Sequence, residues 1–108
     1  MLVTQLAAKG YSVSQANNGK EGHKKALVEN PDLILLDIRM PEMDGMAMLD
    51  LLRKGESNKK TKVIILTNFE PDDKIIENVV KNQPDYYFVK SDISLNELFG
   101  EIQKLIGV

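Results

Sequence analysis

Three residues of this chain carry groups suited to phosphoryl chemistry, and each one closes an apolar run. Asp37 ends Leu33-Ile34-Leu35-Leu36 within "PDLILLDIRMPEMDG", Thr67 follows "VIIL", and Lys90 follows "YYFV". A carboxylate can attack phosphorus and form an acyl phosphate. A hydroxyl and an ammonium can then hold the phosphoryl oxygens, while a divalent cation offsets the remaining charge. Each residue also has a plainer reading. An Asp after a strand commonly opens a turn or a helix, a Thr can simply end a strand, and a Lys there can be a solvated charge. The coincidence of all three types at run ends favours a site, since no single position is diagnostic.

The elements that must position them follow from the apolar pattern. Leu33–Leu36, residues 63–66 and Tyr86–Val89 are near-continuous apolar runs, as buried strands of a parallel sheet require. Residues 11–16, "YSVSQA", alternate polar and apolar and are predicted to form a fourth strand at an edge. Helical spacing occupies the intervals, over 20–29 (through Ala26 and Leu27), 46–53 (Met46, Leu49, Leu52) and 72–81 (Ile75, Ile76, Val79, Val80). A last helix is announced by a Ser94-x-x-Glu97 capping box. Its stripe is Leu95, Leu98, Phe99, Ile102, Leu105 and Ile106, and Gly107 is its closing residue. Residues 2–9 look like the tail of a helix ending at Gly10. Strict alternation of this kind implies an α/β domain, an open parallel sheet covered on both faces. In such sheets ligands collect outside the carboxyl ends of the strands, where Asp37, Thr67 and Lys90 all fall.

Composition narrows the function classes. The 108 residues suit one domain with a single core, and 43% apolar with 28% charged residues is the balance of a globular protein. A formal charge of −2, and three Tyr and three Phe with no basic stripe among them, argue against nucleic acid as the main partner. Without Cys there are no disulfides or thiolate metal sites. No run approaches membrane-spanning length, and "MLVTQLAAKG" lacks the basic leader and apolar core of a signal peptide. A cytoplasmic location and no membrane partner are expected.

The stretches "LILLDIRMPEMDG", "VIILTN" and "YYFVKSD" resemble the receiver domain of bacterial two-component response regulators, from about Gly10 to the C-terminus. The resemblance implies a flavodoxin-like (CheY-like) fold in which Asp37 is the phosphoacceptor. It makes Thr67 the hydroxyl that follows the phosphoryl group and Lys90 its ammonium partner. Tyr87 matches the aromatic whose rotamer reports phosphorylation, although a plain half-buried strand aromatic is an equal reading. The main-chain carbonyl of Arg39 matches a ligand of the family's Mg²⁺, alongside Asp37.

The family begins with a central strand and two adjacent acidic residues that complete the Mg²⁺ site. This chain reads as an N-terminally truncated form that opens inside the first helix, with about four strands. Mg²⁺ binding is therefore expected to be weakened. Asp72-Asp73 follow Pro71 and suit a helix start better than a substitute metal site. Loss of the central strand calls for a repair. Residues 11–16 can pair directly with Leu33–Leu36, or two chains can exchange segments in a homodimer. Other departures from the family are Gly22 and the lone His23 in the second helix, Asn68 after Thr67, and Ser91 in place of the frequent Pro.

The expected function is a receiver without an output domain, spanning 1–108. It would be phosphorylated on Asp37 by a sensor histidine kinase or phosphotransfer protein and act by docking on a downstream protein. The main alternative is a degenerate receiver that works only by phosphorylation-independent binding or oligomerisation. A more distant one is an aspartyl-phosphate hydrolase. That family wants a second Asp two residues after the nucleophile, where this chain has Arg39, and room for a substrate cap. A receiver itself is expected not to be an enzyme.

Overall fold

The computed structural model describes residues 2–37, 45–55, 60–68 and 72–107. In chain order the elements are α1 (Leu2–Ala8), α2 (Gly19–Glu29), β1 (Leu33–Leu36), α3 (Gly45–Lys54), β2 (Lys62–Thr67), α4 (Asp73–Asn82), β3 (Tyr86–Val89), a 3₁₀ turn (Lys90–Asp92) and α5 (Leu95–Ile106). The strands form a parallel three-stranded sheet in the order β1-β2-β3. Leu36 pairs with Ile65 and Thr67 with Val89.

Helix boundaries are set by side chains that satisfy the first free backbone N–H groups. Asn18 Oδ1 accepts from Glu21 N at 2.8 Å, and Asp72 Oδ1 from Ile75 N at 2.9 Å. The Asp72-Asp73 pair thus starts α4, with Asp72 as its cap and Asp73 in its first turn. At α5 the capping box is complete, because Ser94 and Glu97 each bond the other's backbone N–H at 3.1 Å. Gly107 closes α5 at φ 76°, and Gly10 follows α1 at φ 97°. By contrast α2 and α4 end in left-handed residues that carry side chains, Asn30 (φ 49°) and Gln83 (φ 47°).

Period-two alternation sorts the strand residues to two faces. On one face Ile34, Leu36, Val63, Ile65 and Tyr87 pack with Ala26, Met48, Leu49, Leu52 and Val79 of α2, α3 and α4. On the other, Leu33, Leu35, Ile64, Leu66, Tyr86 and Phe88 pack with Leu6, Leu98 and Ile102 of α1 and α5. Val63, Ile64 and Ile65 are wholly buried, which marks β2 as the middle strand with a helical layer on each side.

The fourth strand expected at residues 11–16 is absent, and the sheet has three strands among the described residues. Tyr11 and Val13 pack against the α1–α5 core while Ser12, Ser14 and Gln15 are exposed. The alternation in "YSVSQA" therefore reflects side chains turned in and out along the segment, not a backbone ladder. Direct pairing with β1, one of the repairs the sequence left open, does not occur among the described residues. Among the described residues, β2 is the one ladder partner of β1.

Gly22 has a steric reason. A Cβ there would meet Met48 Cε of α3 at 3.1 Å and Ala16 Cβ at 3.5 Å, so its bare backbone lets α2 and α3 approach. His23 lies half-buried in α2. Among the described residues every peptide is trans, in keeping with Ser91 after Lys90.

Candidate functional site

Asp37 stands one residue past the Leu36–Ile65 pair, and Lys90 one residue past the Thr67–Val89 pair. All three predicted site residues therefore reach the carboxyl edge of the sheet. The strands carrying Asp37 and Lys90 are not neighbours. They lie on either side of β2, about 10 Å apart at the usual strand spacing. The Lys90 side chain spans that gap, and its Nζ donates to Asp37 Oδ2 at 3.3 Å. The pair is part-exposed, with side-chain exposures of 45% for Lys90 and 38% for Asp37. An ion pair this open contributes ~0–1 kcal/mol to stability. It acts as a positioning contact more than as a fastening.

Thr67 ends the strand that this bridge crosses. It is wholly buried, and its Oγ1 has no hydrogen-bond partner among the described residues. An orphaned buried hydroxyl costs about 1–3 kcal/mol. The carboxyl edge thus presents a carboxylate, an ammonium and a hydroxyl with spare bonding capacity, a set chemically suited to oxygens of an anionic group. Asn68, next to Thr67, is exposed. Tyr87 is half-buried on the α2–α4 face and packs against that core.

The donors among the described residues do not by themselves fit Mg²⁺. That ion needs near-octahedral oxygen ligation, with carboxylates supplying part of it. No group of three His, Cys, Asp or Glu able to hold a metal occurs among the described residues. Asp37 faces an ammonium instead. Arg39, the expected carbonyl ligand, lies outside the described residues.

A second polar cluster had no signal in the sequence. Arg53 of α3 donates through Nε to the Asn82 carbonyl at 2.9 Å and through Nη1 to the Thr61 carbonyl at 2.8 Å. Asn82, buried at the end of α4, donates through Nδ2 to Asp50 Oδ1 at 2.5 Å and Asn78 Oδ1 at 3.1 Å. Asp85 Oδ2 accepts from Val63 N at 2.9 Å. Burial pulls the Arg53 guanidinium pKa below its ordinary value, and the Asp85 carboxylate opposes that shift. These residues tie α3, α4 and the entry to β2 and β3 at the amino end of the sheet, opposite Asp37. Their partners are up to 32 residues apart, which no local pattern reveals.

Comparison with known proteins agrees with this geometry. The family model described as "Response regulator receiver domain" matches residues 1–103. Regulatory protein AtoC of Escherichia coli (strain K12) is 34% identical over 93 residues, 86% of this chain and 20% of that protein. The chain thus spans about a fifth of that relative's length. Among solved structures, the receiver domain of Francisella response regulator 1452 superposes with a TM-score of 0.81 at 33% identity, covering 96% of this chain and 83% of that one. The receiver domain of the Pseudomonas aeruginosa sensor histidine kinase PA1611, solved with a magnesium ion coordinated in its active-site cleft, gives 0.83 at 27% identity, covering 97% and 84%. No helix among the described residues is long and apolar enough to cross a membrane. The fold, the three strand ends and these matches together place the chain in the receiver-domain family of response regulators.

Proposed function

We propose that the chain is a two-component signalling module that acts by docking to other proteins, and that its described form does so without phosphoryl transfer to Asp37. The observation carrying this reading is the state of the carboxyl edge. Asp37 is tied to Lys90 at 3.3 Å, and no metal-holding cluster accompanies it among the described residues. A phosphodianion approaching a carboxylate meets like charge, and one ammonium already shared with that carboxylate offsets only part of it. Docking has surface to use, because Ile76 and Val80 of α4 are 49% and 70% exposed. With β3 and α5 they form a face suited to a sensor kinase, a phosphotransfer protein or a downstream partner.

One observation favours a second reading, in which Asp37 accepts phosphate. The buried, unpartnered Thr67 hydroxyl lies on the strand spanned by the Lys90–Asp37 bridge. In this reading an Asp37 oxygen bonds to phosphorus while the bond from phosphorus to the donor's histidine nitrogen breaks. Lys90 and Thr67 hold the transferred oxygens, and Tyr87 repacks in response. Intact mass spectrometry after treatment with a small phosphodonor and Mg²⁺ separates the two. Little or no phosphate adduct supports docking alone. A stable adduct that disappears in Asp37→Asn establishes the phosphoacceptor.

A further inference from the structure

Helices α2, α3 and α4 cover one face of the sheet as a single layer, in which α3 touches both of the others. Five of the six large apolar side chains exposed among the described residues belong to that layer. They are Leu27 and Val28 of α2, Leu51 of α3, and Ile76 and Val80 of α4, between 37% and 85% exposed. Apolar surface gathered on one face marks an interaction site, where the same residues scattered would not. The charges of the layer divide by helix. On α2 Glu21 is taken up by Lys25 at 3.4 Å, and on α4 Lys81 reaches Asp50 of α3 at 3.7 Å. Exposed Lys20 and Lys24 of α2, and exposed Asp73 and Glu77 of α4, enter no ion pair among the described residues. Lys20, Lys24 and Leu27 recur at i, i+4 and i+7, and so do Asp73, Glu77 and Val80, so each set lies along one helical stripe. Exposed Lys74 lies roughly a quarter-turn around α4 from the second stripe.

We infer that the outer face of α2, α3 and α4 is a self-association surface, and that its occupant is a second copy of this chain related by a two-fold axis along α3. Such an axis lays α2 of each copy on α4 of the other and sets Leu51 against its own counterpart. The three helices each lead into a strand of one parallel sheet and so run the same way. An axis along them keeps stacked helices parallel. Lys20 and Lys24 then meet the partner's Asp73 and Glu77 at the amino-terminal halves of the helices. Leu27 and Val28 meet the partner's Val80 toward the other ends, and Ile76 widens the apolar strip. Stacking α2 on α2, or α4 on α4, would instead bring Lys24 against Lys24 or Glu77 against Glu77, so charge selects the crossed arrangement. The inference rests on the docking reading above and names a partner for it, on a face that shares only α4 with the one described there.

Sedimentation equilibrium of the whole chain at low salt is expected to show a monomer–dimer equilibrium that stops at two copies and weakens as salt is raised. Lys24→Glu and Glu77→Lys each place like charges in both halves of the symmetric contact, and each is expected to weaken the dimer about tenfold or more. An equimolar mixture of the two variants restores opposite charges in both halves, and is expected to dimerise within about threefold of the parent. Misfolded variants would not rescue each other in this way. Leu51→Glu changes an exposed residue, so circular dichroism is expected to find it folded. It sets two carboxylates together on the axis and is expected to weaken the dimer about tenfold or more. A chain that stays monomeric up to about millimolar concentration overturns the inference. Undiminished dimerisation of Lys24→Glu or Leu51→Glu also overturns it, since α2 or α3 then lies outside the contact. A mixture that binds no more tightly than its components does the same, as does growth beyond two copies. Failure of the docking reading shows separately, as a phosphate adduct on Asp37.

Discussion

Thr67 shows most directly how this sheet edge differs from an inert one. Its hydroxyl is buried without a partner among the described residues, at a position where valine would fill nearly the same volume. Removing an unsatisfied polar group is neutral or stabilising, whereas removing a satisfied one costs stability. Thr67→Val is therefore expected to leave the folding free energy unchanged or to raise it by up to about 1 kcal/mol, as read from urea midpoints at constant slope. A loss above about 2 kcal/mol would mean that Oγ1 has a bonding partner after all. The apolar runs made the placement of Asp37, Thr67 and Lys90 legible from the sequence, since each run ends within one residue of the end of its ladder. The 3.3 Å bridge was not legible, because it joins residues 53 apart on strands that do not touch. Nothing local in the sequence reports that distance.

At the scale of elements, part of the local capping chemistry was legible, although the Asn18 cap and the left-handed closures at Asn30 and Gln83 were not read. The Ser94–Glu97 box and the αL glycine at 107 are short-range patterns that the structure realises, and the helix start read at Asp72-Asp73 is present with Asp72 as its cap and not in its first turn. Ser94→Ala is expected to destabilise the chain by about 1 kcal/mol through the loss of the α5 cap. The same box gives a pH signature. Hydrogen bonding to Ser94, first its backbone N–H and then its side chain, lowers the Glu97 pKa from the ordinary 4.5. Its stabilising contribution is thus present above 4.5 and is lost as the pH falls below that through the lower folded value. A Glu97→Ala variant should therefore show a shallower loss of thermal stability than the parent on acidification below 4.5, followed by circular dichroism. Residues 11–16 were misread for the opposite reason. Their alternation is a burial pattern, and burial does not report whether a backbone has a ladder partner.

For the whole molecule, protection should follow the sheet from its centre outward. Native-state hydrogen exchange is expected to be slowest at Val63–Ile65, where side chains are fully buried and strands lie on both sides, and faster along β1. Equal protection of β1 and β2 in the free chain would show that the outer edge of β1 is already covered. The layered α/β class was legible because buried parallel strands and amphipathic helices have distinct periods. The amino-end network of Arg53, Asn82, Asp50 and Asp85 was not, because it joins three elements through side chains with no shared period. The predicted site residues thus gather at one end of the sheet and this network at the other.

The left-handed residues Asn30 and Gln83 add a different consequence. Each closes the helix that leads into a strand, α2 before β1 and α4 before β3, in a conformation that glycine adopts with less strain. Among the described residues, the side-chain-bearing residues at positive φ are these two, both at exposed connections. Relief at those sites would disturb no packed side chain, so the sequence retains an evolutionary reserve from which destabilising changes at the docking face or the carboxyl edge can be tolerated.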